Sequence, residues 1–148
     1  MTAMQRTKGQ SGEREAAALV RDLTGWEVKR RVRQHDGDSD LVGIPGWSVE
    51  VKRHASAGRG QIEAWWRQSV AQATREAEQQ DNRNSTDCIP LLLYRLDRQG
   101  WRAMWPLAVL LVDQRAGYWT SPDWAADTTV EAWAAVAREI AVSKVRVA

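Results

Sequence analysis

Residues 40–54 have the sequence DLVGIPGWSVEVKRH, which predicts two short strands joined by a turn. Pro45-Gly46 is a typical turn pair. In the strand that follows, side chains alternate between two faces, so Glu50 and Lys52 share one face and the intervening valines share the other. The strand therefore presents a carboxylate and an ammonium group side by side, while its apolar side chains face a core.

Asp40 must reach the same face from the preceding strand. A connection centred on Pro45 places Asp40 opposite Glu50, with both carboxylates on one face. A strict two-residue turn would instead pair Asp40 with Val51 and separate the two acids. We therefore predict an odd-length connection or a bulge.

The rest of the chain predicts an α/β sandwich around a mixed sheet. The pattern is a helix, three strands, a helix, two strands and helical additions. The predicted helices cover residues 12–24, capped by Gly25, then 61–80, 106–112 and about 128–141, the last with Thr128 and Glu131 as a capping box. The predicted strands cover residues 26–33, 40–44, 47–53, 88–96 and 101–105.

The composition predicts one soluble domain over residues 1–148, with 43% hydrophobic residues. No apolar run approaches the roughly 18 residues of a membrane span, and residues 1–12 lack the apolar stretch of a secretory signal. We therefore expect a cytoplasmic protein with no membrane partner. Cys88 is the single cysteine and there are two histidines, which excludes an internal disulfide and makes a zinc site an unfavourable hypothesis.

The net charge is only +2, but basic residues concentrate near residues 40–54. This local field suits a phosphate-bearing partner, although a solvated charged face has the same composition. The residues concerned are Arg30, Arg31, Arg33, Lys52, Arg53, His54, Arg59 and Arg67.

The acids and the lysine together suit phosphodiester hydrolysis. Such a reaction needs a hard cation, charge stabilisation at the phosphate and an activated water. Carboxylate oxygens are the natural ligands of Mg²⁺, and Asp40 and Glu50 supply them. The backbone carbonyl of Val51 is a further candidate ligand, and Lys52 can orient or polarise the water.

The first predicted helix adds a third acid. At about 100° per residue, Glu13 falls inside the apolar arc formed by the alanine, leucine and valine side chains. Glu15 falls outside it, on the polar side. A carboxylate on the apolar face of a helix is unfavourable unless it has a function such as metal coordination, so we favour Glu13 over Glu15 as the third acid of the site. For both residues the other explanation is compensation of the helix-terminal charge.

In order along the chain, Glu13-Arg14-Glu15, Asp40-Leu41-Val42 and Glu50-Val51-Lys52 resemble the PD-(D/E)xK nuclease superfamily, especially its Holliday junction resolvase-like members from archaea and phages. The resemblance covers about residues 8–107. Ser39 stands where the family name has proline. The resemblance implies a restriction-endonuclease-like fold, a mixed central β-sheet flanked by helices, with residues 108–148 as a C-terminal helical addition.

The resemblance also implies a function. The implied function is that of an endodeoxyribonuclease that depends on Mg²⁺ or Mn²⁺. The implied protein is bacterial or phage-encoded and acts on branched or duplex DNA in recombination or repair. Glu13, Asp40 and Glu50 would hold metal and Lys52 would serve the water. Candidate DNA contacts are Arg14, Arg31, Arg33, Ser39, Arg53, His54, Gln68 and Gln72. A symmetric homodimer is expected, because a four-way junction presents two equivalent scissile positions.

Alternatives remain at this point. One is a non-catalytic nucleic-acid-binding module with the same fold, and another is a nuclease subunit of a restriction, packaging or repair complex. The chain has nine tryptophans, most of them at core positions. For the adjacent Trp65 and Trp66 we predict that one ring is exposed to DNA or to a second subunit.

Overall fold

The computed structural model describes residues 3–32, 39–79, 88–111 and 120–147. Within these ranges there are three α-helices: α1 (Ala3–Thr24), α2 (Arg59–Gln79) and α3 (Val130–Val147). The strands are β1 (Lys29–Arg30), β2 (Leu41–Val42), β3 (Trp47–His54), β4 (Ile89–Leu96), β5 (Arg102–Pro106) and β6 (Ala125–Thr129). Short 3₁₀ turns occupy Leu107–Leu110 and Pro122–Trp124.

Four strands form a mixed sheet in the order β3-β4-β5-β6. β3 and β4 are parallel and are connected through α2, whereas β5 and β6 continue the sheet antiparallel. β1 and β2 pair separately as a short antiparallel ribbon. This is the predicted α/β fold with a mixed central sheet flanked by helices. Because β3 lies at one end of the sheet order, its charged residues lie at the edge of the sheet, next to the β1–β2 ribbon.

Each face of the sheet has its own core. The valines of β3 pack with α1 and α3 on one face, where Trp47 and Trp133 meet edge to face with ring centroids 5.5 Å apart. Leu92 and Tyr94 of β4 pack under α2 on the other face. The continuous apolar run of β4 is explained by this two-sided burial, as expected for an interior strand.

Helix α1 lies close against β3 because Gly12 has no side chain. A Cβ atom at Gly12 would lie 2.8 Å from the Cβ of Arg53. The helix begins at Ala3, well before the predicted start, and ends at Thr24 as predicted. Gly25 follows with a φ of 76°, and its N–H donates to the carbonyl of Arg21 at 2.8 Å, which caps the helix.

The C-terminal region contributes more than the predicted helical addition. Residues 125–129 form β6, a strand that the sequence analysis did not predict, and α3 packs into the same core as α1. The predicted capping residue is also shifted by one position. The Thr129 hydroxyl accepts from the N–H of Ala132 at 3.1 Å, whereas the Thr128 hydroxyl accepts from the indole N–H of Trp105 at 3.0 Å.

The prediction that Trp65 or Trp66 is exposed is wrong. The two residues are 4% and 0% exposed. Both rings lie in one core cluster with Leu92, Tyr94 and Met104 of the sheet, and the Trp66 indole also donates to the carbonyl of Thr120 at 2.8 Å. In the ranges that the structure describes, no helix combines the length and apolar character of a membrane span.

Candidate active site

The connection between β2 and β3 contains the irregularity that the sequence predicts. The N–H of Trp47 donates to the carbonyl of Ile44 at 3.2 Å, which closes a tight turn over Pro45-Gly46. Further on, the N–H of Asp40 donates to the carbonyl of Val49 at 2.8 Å. More residues separate Asp40 from Ile44 than separate Val49 from Trp47, so the two segments are not paired one to one. The predicted departure from regular pairing is confirmed, and it lies on the β2 side and not in the turn.

Gly43 and Ser39 fix this irregular segment. Gly43 has a φ of 92°, and a Cβ there would lie 2.2 Å from the carbonyl oxygen of Glu27. Only glycine allows this backbone approach. The buried hydroxyl of Ser39 accepts from the N–H of Val49 at 2.8 Å and donates to the carbonyl of Leu41 at 2.8 Å. The residue that replaces the family's proline thus holds Asp40 against β3.

The Asp40 carboxylate lies at the edge of β3. Its Oδ2 accepts from the N–H of Val51 at 2.8 Å. The pKa of Asp40 is raised from 3.8 to about 7, chiefly by burial and next by the neighbouring charge of Glu50, with a smaller effect from Glu13. The Val51 hydrogen bond and the Lys52 charge lower it in part. Asp40 therefore lies within electrostatic reach of the three other predicted catalytic residues.

Glu50 and Lys52 form the pair that the strand alternation predicts. The Lys52 Nζ lies 3.1 Å from Glu50 Oε1, and the Glu50 side chain is buried. Burial raises the pKa of Glu50, the lysine opposes that shift, and the charge of Glu13 adds to it. Gln68 of α2 approaches the same carboxylate, with its Nε2 3.4 Å from Glu50 Oε1.

The structure distinguishes Glu13 from Glu15. The Glu13 side chain is 13% exposed and is paired with Arg30, whose Nε lies 2.6 Å from Glu13 Oε2. The Glu15 side chain is 41% exposed and accepts from Trp101 Nε1 at 2.8 Å, beside Arg95. Of the two acids, Glu13 is the one whose charge acts on Asp40 and Glu50.

Arg30 belongs to the predicted basic cluster and lies against Glu13, but it was not among the predicted DNA contacts. Arg31 and Arg33 were chosen as the first-strand arginines. The sequence pattern could have predicted this position, because Arg30 continues the two-residue alternation of Trp26 and Val28 and therefore lies on their face of the strand. Val28 is fully buried. An arginine on the inward-facing positions of a strand needs a buried partner, and Glu13 is that partner.

The arginines predicted to contact DNA differ in their exposure and in their hydrogen-bond partners. Arg14 is exposed on α1. The Arg31 Nε donates to the carbonyl of Ser39 at 2.8 Å, while Arg33 lies outside the described residues. Arg53 is paired with Asp97 at 2.6 Å.

The remaining candidates lie on the α2 side of β3. The buried Gln72 donates to the Ser48 hydroxyl at 3.2 Å and to the Val49 carbonyl at 3.3 Å, so its hydrogen bonds hold α2 to β3. His54 is exposed and lies against the ring of Trp65. Ser39, described above, is also buried, and a DNA contact for any of these residues stays a prediction.

The residues fit a divalent cation that keeps part of its water shell. Within the described ranges no three histidine, cysteine or acidic side chains are close enough to form a ready-made metal cluster. The half-buried Asp40 and the buried Glu50 nevertheless have raised pKa values, so their ionised forms carry negative charge that a cation would stabilise. Mg²⁺ typically uses one or two protein carboxylates and several waters, so Asp40 and Glu50 suffice as its protein ligands.

Acidic side chains gathered at the edge of a mixed sheet, with a lysine two positions beyond the last of them, are the arrangement of PD-(D/E)xK nucleases. The sequence comparison agrees with this class. The model of the family described as "Phage putative PDDEXK endonuclease" matches residues 4–124, and the chain belongs to that family. The match extends beyond the predicted core of residues 8–107 and supports endonuclease activity. Neither the curated proteins nor the solved structures contain a significant match.

Proposed function

We propose that the protein is a Mg²⁺- or Mn²⁺-dependent endodeoxyribonuclease whose site consists of Glu13, Asp40, Glu50 and Lys52. The observation that carries this proposal is the placement of the half-buried Asp40 and the buried Glu50 near Lys52, with the pKa values of both acids raised. Burying two like charges together is unfavourable, and a cation-dependent reaction accounts for their presence.

Asp40 and Glu50 would hold the cation, with Glu13 contributing directly or through a water. The Val51 carbonyl is a further proposed ligand, and its N–H already orients Asp40 at 2.8 Å. A bound divalent cation supplies charge stabilisation at the phosphate and lowers the pKa of a nearby water.

Lys52 is the residue proposed to serve the attacking water. Its Nζ lies 3.1 Å from Glu50 Oε1, so a water next to both groups would be oriented by one donor and one acceptor. The oxygen of this water would bond to phosphorus as the bond from phosphorus to one bridging oxygen breaks. A proton lost from the water is balanced by one that the departing oxygen takes from solvent, which leaves a phosphate monoester and a hydroxyl group. Acid–base assistance by a positioned side chain typically contributes 10²- to 10⁴-fold to a rate.

The arginines and glutamine around the acids are proposed to orient the DNA backbone. Arg30 is paired with Glu13 at 2.6 Å, and its guanidinium can turn to a phosphate when a cation takes over that carboxylate. Gln68, 3.4 Å from Glu50, lies on an exposed part of α2 from which it can reach the phosphate as well. Arg14, Arg31 and Arg53 would contact phosphates further from the cleavage position.

We further propose a structure-selective activity that resembles that of Holliday junction resolvases, with a two-fold dimer acting on branched DNA in recombination or repair. The support is the order of the three acidic motifs and the short spacing between Asp40 and Glu50. A dimer would present two equivalent sites to a symmetric junction.

The test is cleavage of labelled four-way-junction and matched linear DNA, in Mg²⁺, Mn²⁺ or EDTA. Wild type should cut only with metal, and Lys52→Ala should lower the rate by about 10²-fold or more while retaining DNA binding. Lys29→Ala, which removes an exposed lysine of β1, is the matched control and should cut normally. Binding without metal-dependent cleavage by the wild type would refute the nuclease and favour a non-catalytic module. A junction-to-linear ratio near one would refute the structure selectivity alone.

A further inference from the structure

His54 extends the active-site strand by one more position on the face that carries Glu50 and Lys52. Its ring lies over that of Trp65, with centroids 4.7 Å apart and an angle of 37° between the planes. His54 is exposed, whereas Trp65 is buried and contacts Tyr94 in turn, with centroids 6.2 Å apart. A surface imidazole is thus supported from beneath by two packed aromatic side chains.

The contact with Trp65 places the His54 ring beside the proposed cleavage position. Helix α2 runs antiparallel to β3, so that Gln68 reaches Glu50 and Trp65, one turn earlier, reaches His54. Residues two apart on a strand are separated by about 7 Å. The imidazole of His54 therefore lies about that far along the strand from Lys52, on the same face.

A supported, exposed ring of this kind suits a nucleobase. Proteins that hold single-stranded nucleic acid stack its bases on aromatic side chains. A base inside a duplex is already stacked on both neighbours, so it can reach such a ring only after it leaves the helix. The contact with the buried Trp65 holds one side of the imidazole to the protein, and His54 is otherwise exposed.

We propose that His54 stacks on an unpaired base next to the scissile phosphate, and that this selects DNA with unpaired or displaced nucleotides at the cleavage position. The inference rests on the proposed nuclease site, because it takes Lys52 as marking the phosphate. It differs from a phosphate contact by His54, which would require the charge of the imidazole and not its flat surface.

Binding experiments in EDTA separate this inference from catalysis. The probes are a fluorescent duplex with a short single-stranded gap, the same gap with abasic nucleotides, and the continuous duplex, all at one salt concentration. His54→Ala should weaken binding of the gapped DNA by about 5- to 150-fold. It should leave binding of the abasic gap and of the continuous duplex unchanged.

Two further variants discriminate stacking from charge. His54→Phe retains a flat ring and should restore binding of the gapped DNA, whereas His54→Lys retains a cation and should not. Restoration by lysine and not by phenylalanine would overturn the stacking inference in favour of a phosphate contact. Equal binding of the base-containing and abasic gaps by wild type, or no binding of gapped DNA, would also overturn it. If wild type binds the three DNAs as expected in EDTA but does not cleave DNA when Mg²⁺ or Mn²⁺ is added, the proposed nuclease activity is refuted and the stacking inference is not.

Discussion

Replacing Asp40 with asparagine should stabilise the metal-free protein, and increasingly so as the pH rises. The pKa of Asp40 is raised from 3.8 to about 7 in the folded protein. For an acid whose folded-state pKa is raised, stability is lost as the pH rises from the unfolded value to the folded value. Above both values the cost corresponds to about 4 kcal/mol of unfolding free energy.

Asparagine avoids this cost because it does not ionise, and its amide oxygen can still accept from the N–H of Val51. At pH 5 the unfolded carboxyl group is already ionised, so part of the cost is present. Between pH 5 and pH 8 the stability advantage of Asp40→Asn over wild type should therefore grow by about 2–3 kcal/mol. Most of the increase should fall below pH 7.

Urea unfolding in EDTA, followed by tryptophan fluorescence at several pH values, measures this difference. Asp22→Asn, which neutralises an exposed acid on α1, is the control and should show no such growth. An advantage of Asp40→Asn that is constant or shrinks between pH 5 and pH 8 would refute the argument that burial and the charge of Glu50 raise the pKa of Asp40.

Magnesium should reduce the stability advantage of Asp40→Asn over wild type. A cation that binds only the folded wild type stabilises it by about 2.7 kcal/mol when its concentration is 100 times the Kd. Asp40→Asn lacks one of the two proposed ligands and should gain much less at pH 8. Equal stabilisation of both proteins by Mg²⁺ would place the cation elsewhere.

Two other pairs of substitutions test the helix α1. Glu13→Gln should lower the rate of metal-dependent cleavage by about 10-fold or more if Glu13 supports the cation. Glu15→Gln is the control and should leave the rate unchanged. Equal losses for the two variants in initial-rate assays would contradict the assignment of Glu13. Gly12→Ala should destabilise the protein by about 1 kcal/mol, because a Cβ 2.8 Å from that of Arg53 forces α1 outward. Gly9→Ala, which meets no atom within 4 Å, should instead stabilise by about 0.5–1 kcal/mol, and thermal unfolding that ranks the two variants in the opposite order would refute this packing argument.

The sequence by itself determined the parts of the site that depend on local periodicity. Alternation along β3 predicted that Glu50 and Lys52 share a face, and they lie 3.1 Å apart. The helical arc predicted that Glu13 faces inward, and its side chain is 13% exposed. Both side chains could be assigned to a face because the side-chain direction repeats every two residues in a strand and every 3.6 residues in a helix, whatever the rest of the chain does.

Only the tertiary structure decided the features that depend on remote partners. β6 has the sequence AADTT and joins the sheet through backbone hydrogen bonds to β5. Such hydrogen bonds do not require alternating apolar residues, so the sequence of β6 has no strand pattern. Trp66 is buried in the core between α2 and the sheet, where its indole donates to the remote carbonyl of Thr120, and Arg30 joins the site because its Nε lies 2.6 Å from Glu13 Oε2. Sequence periodicity assigns a side chain to a face, but the segment that packs against that face is set by the whole fold. Backbone pairing and remote coverage therefore have no local signature from which they could have been predicted.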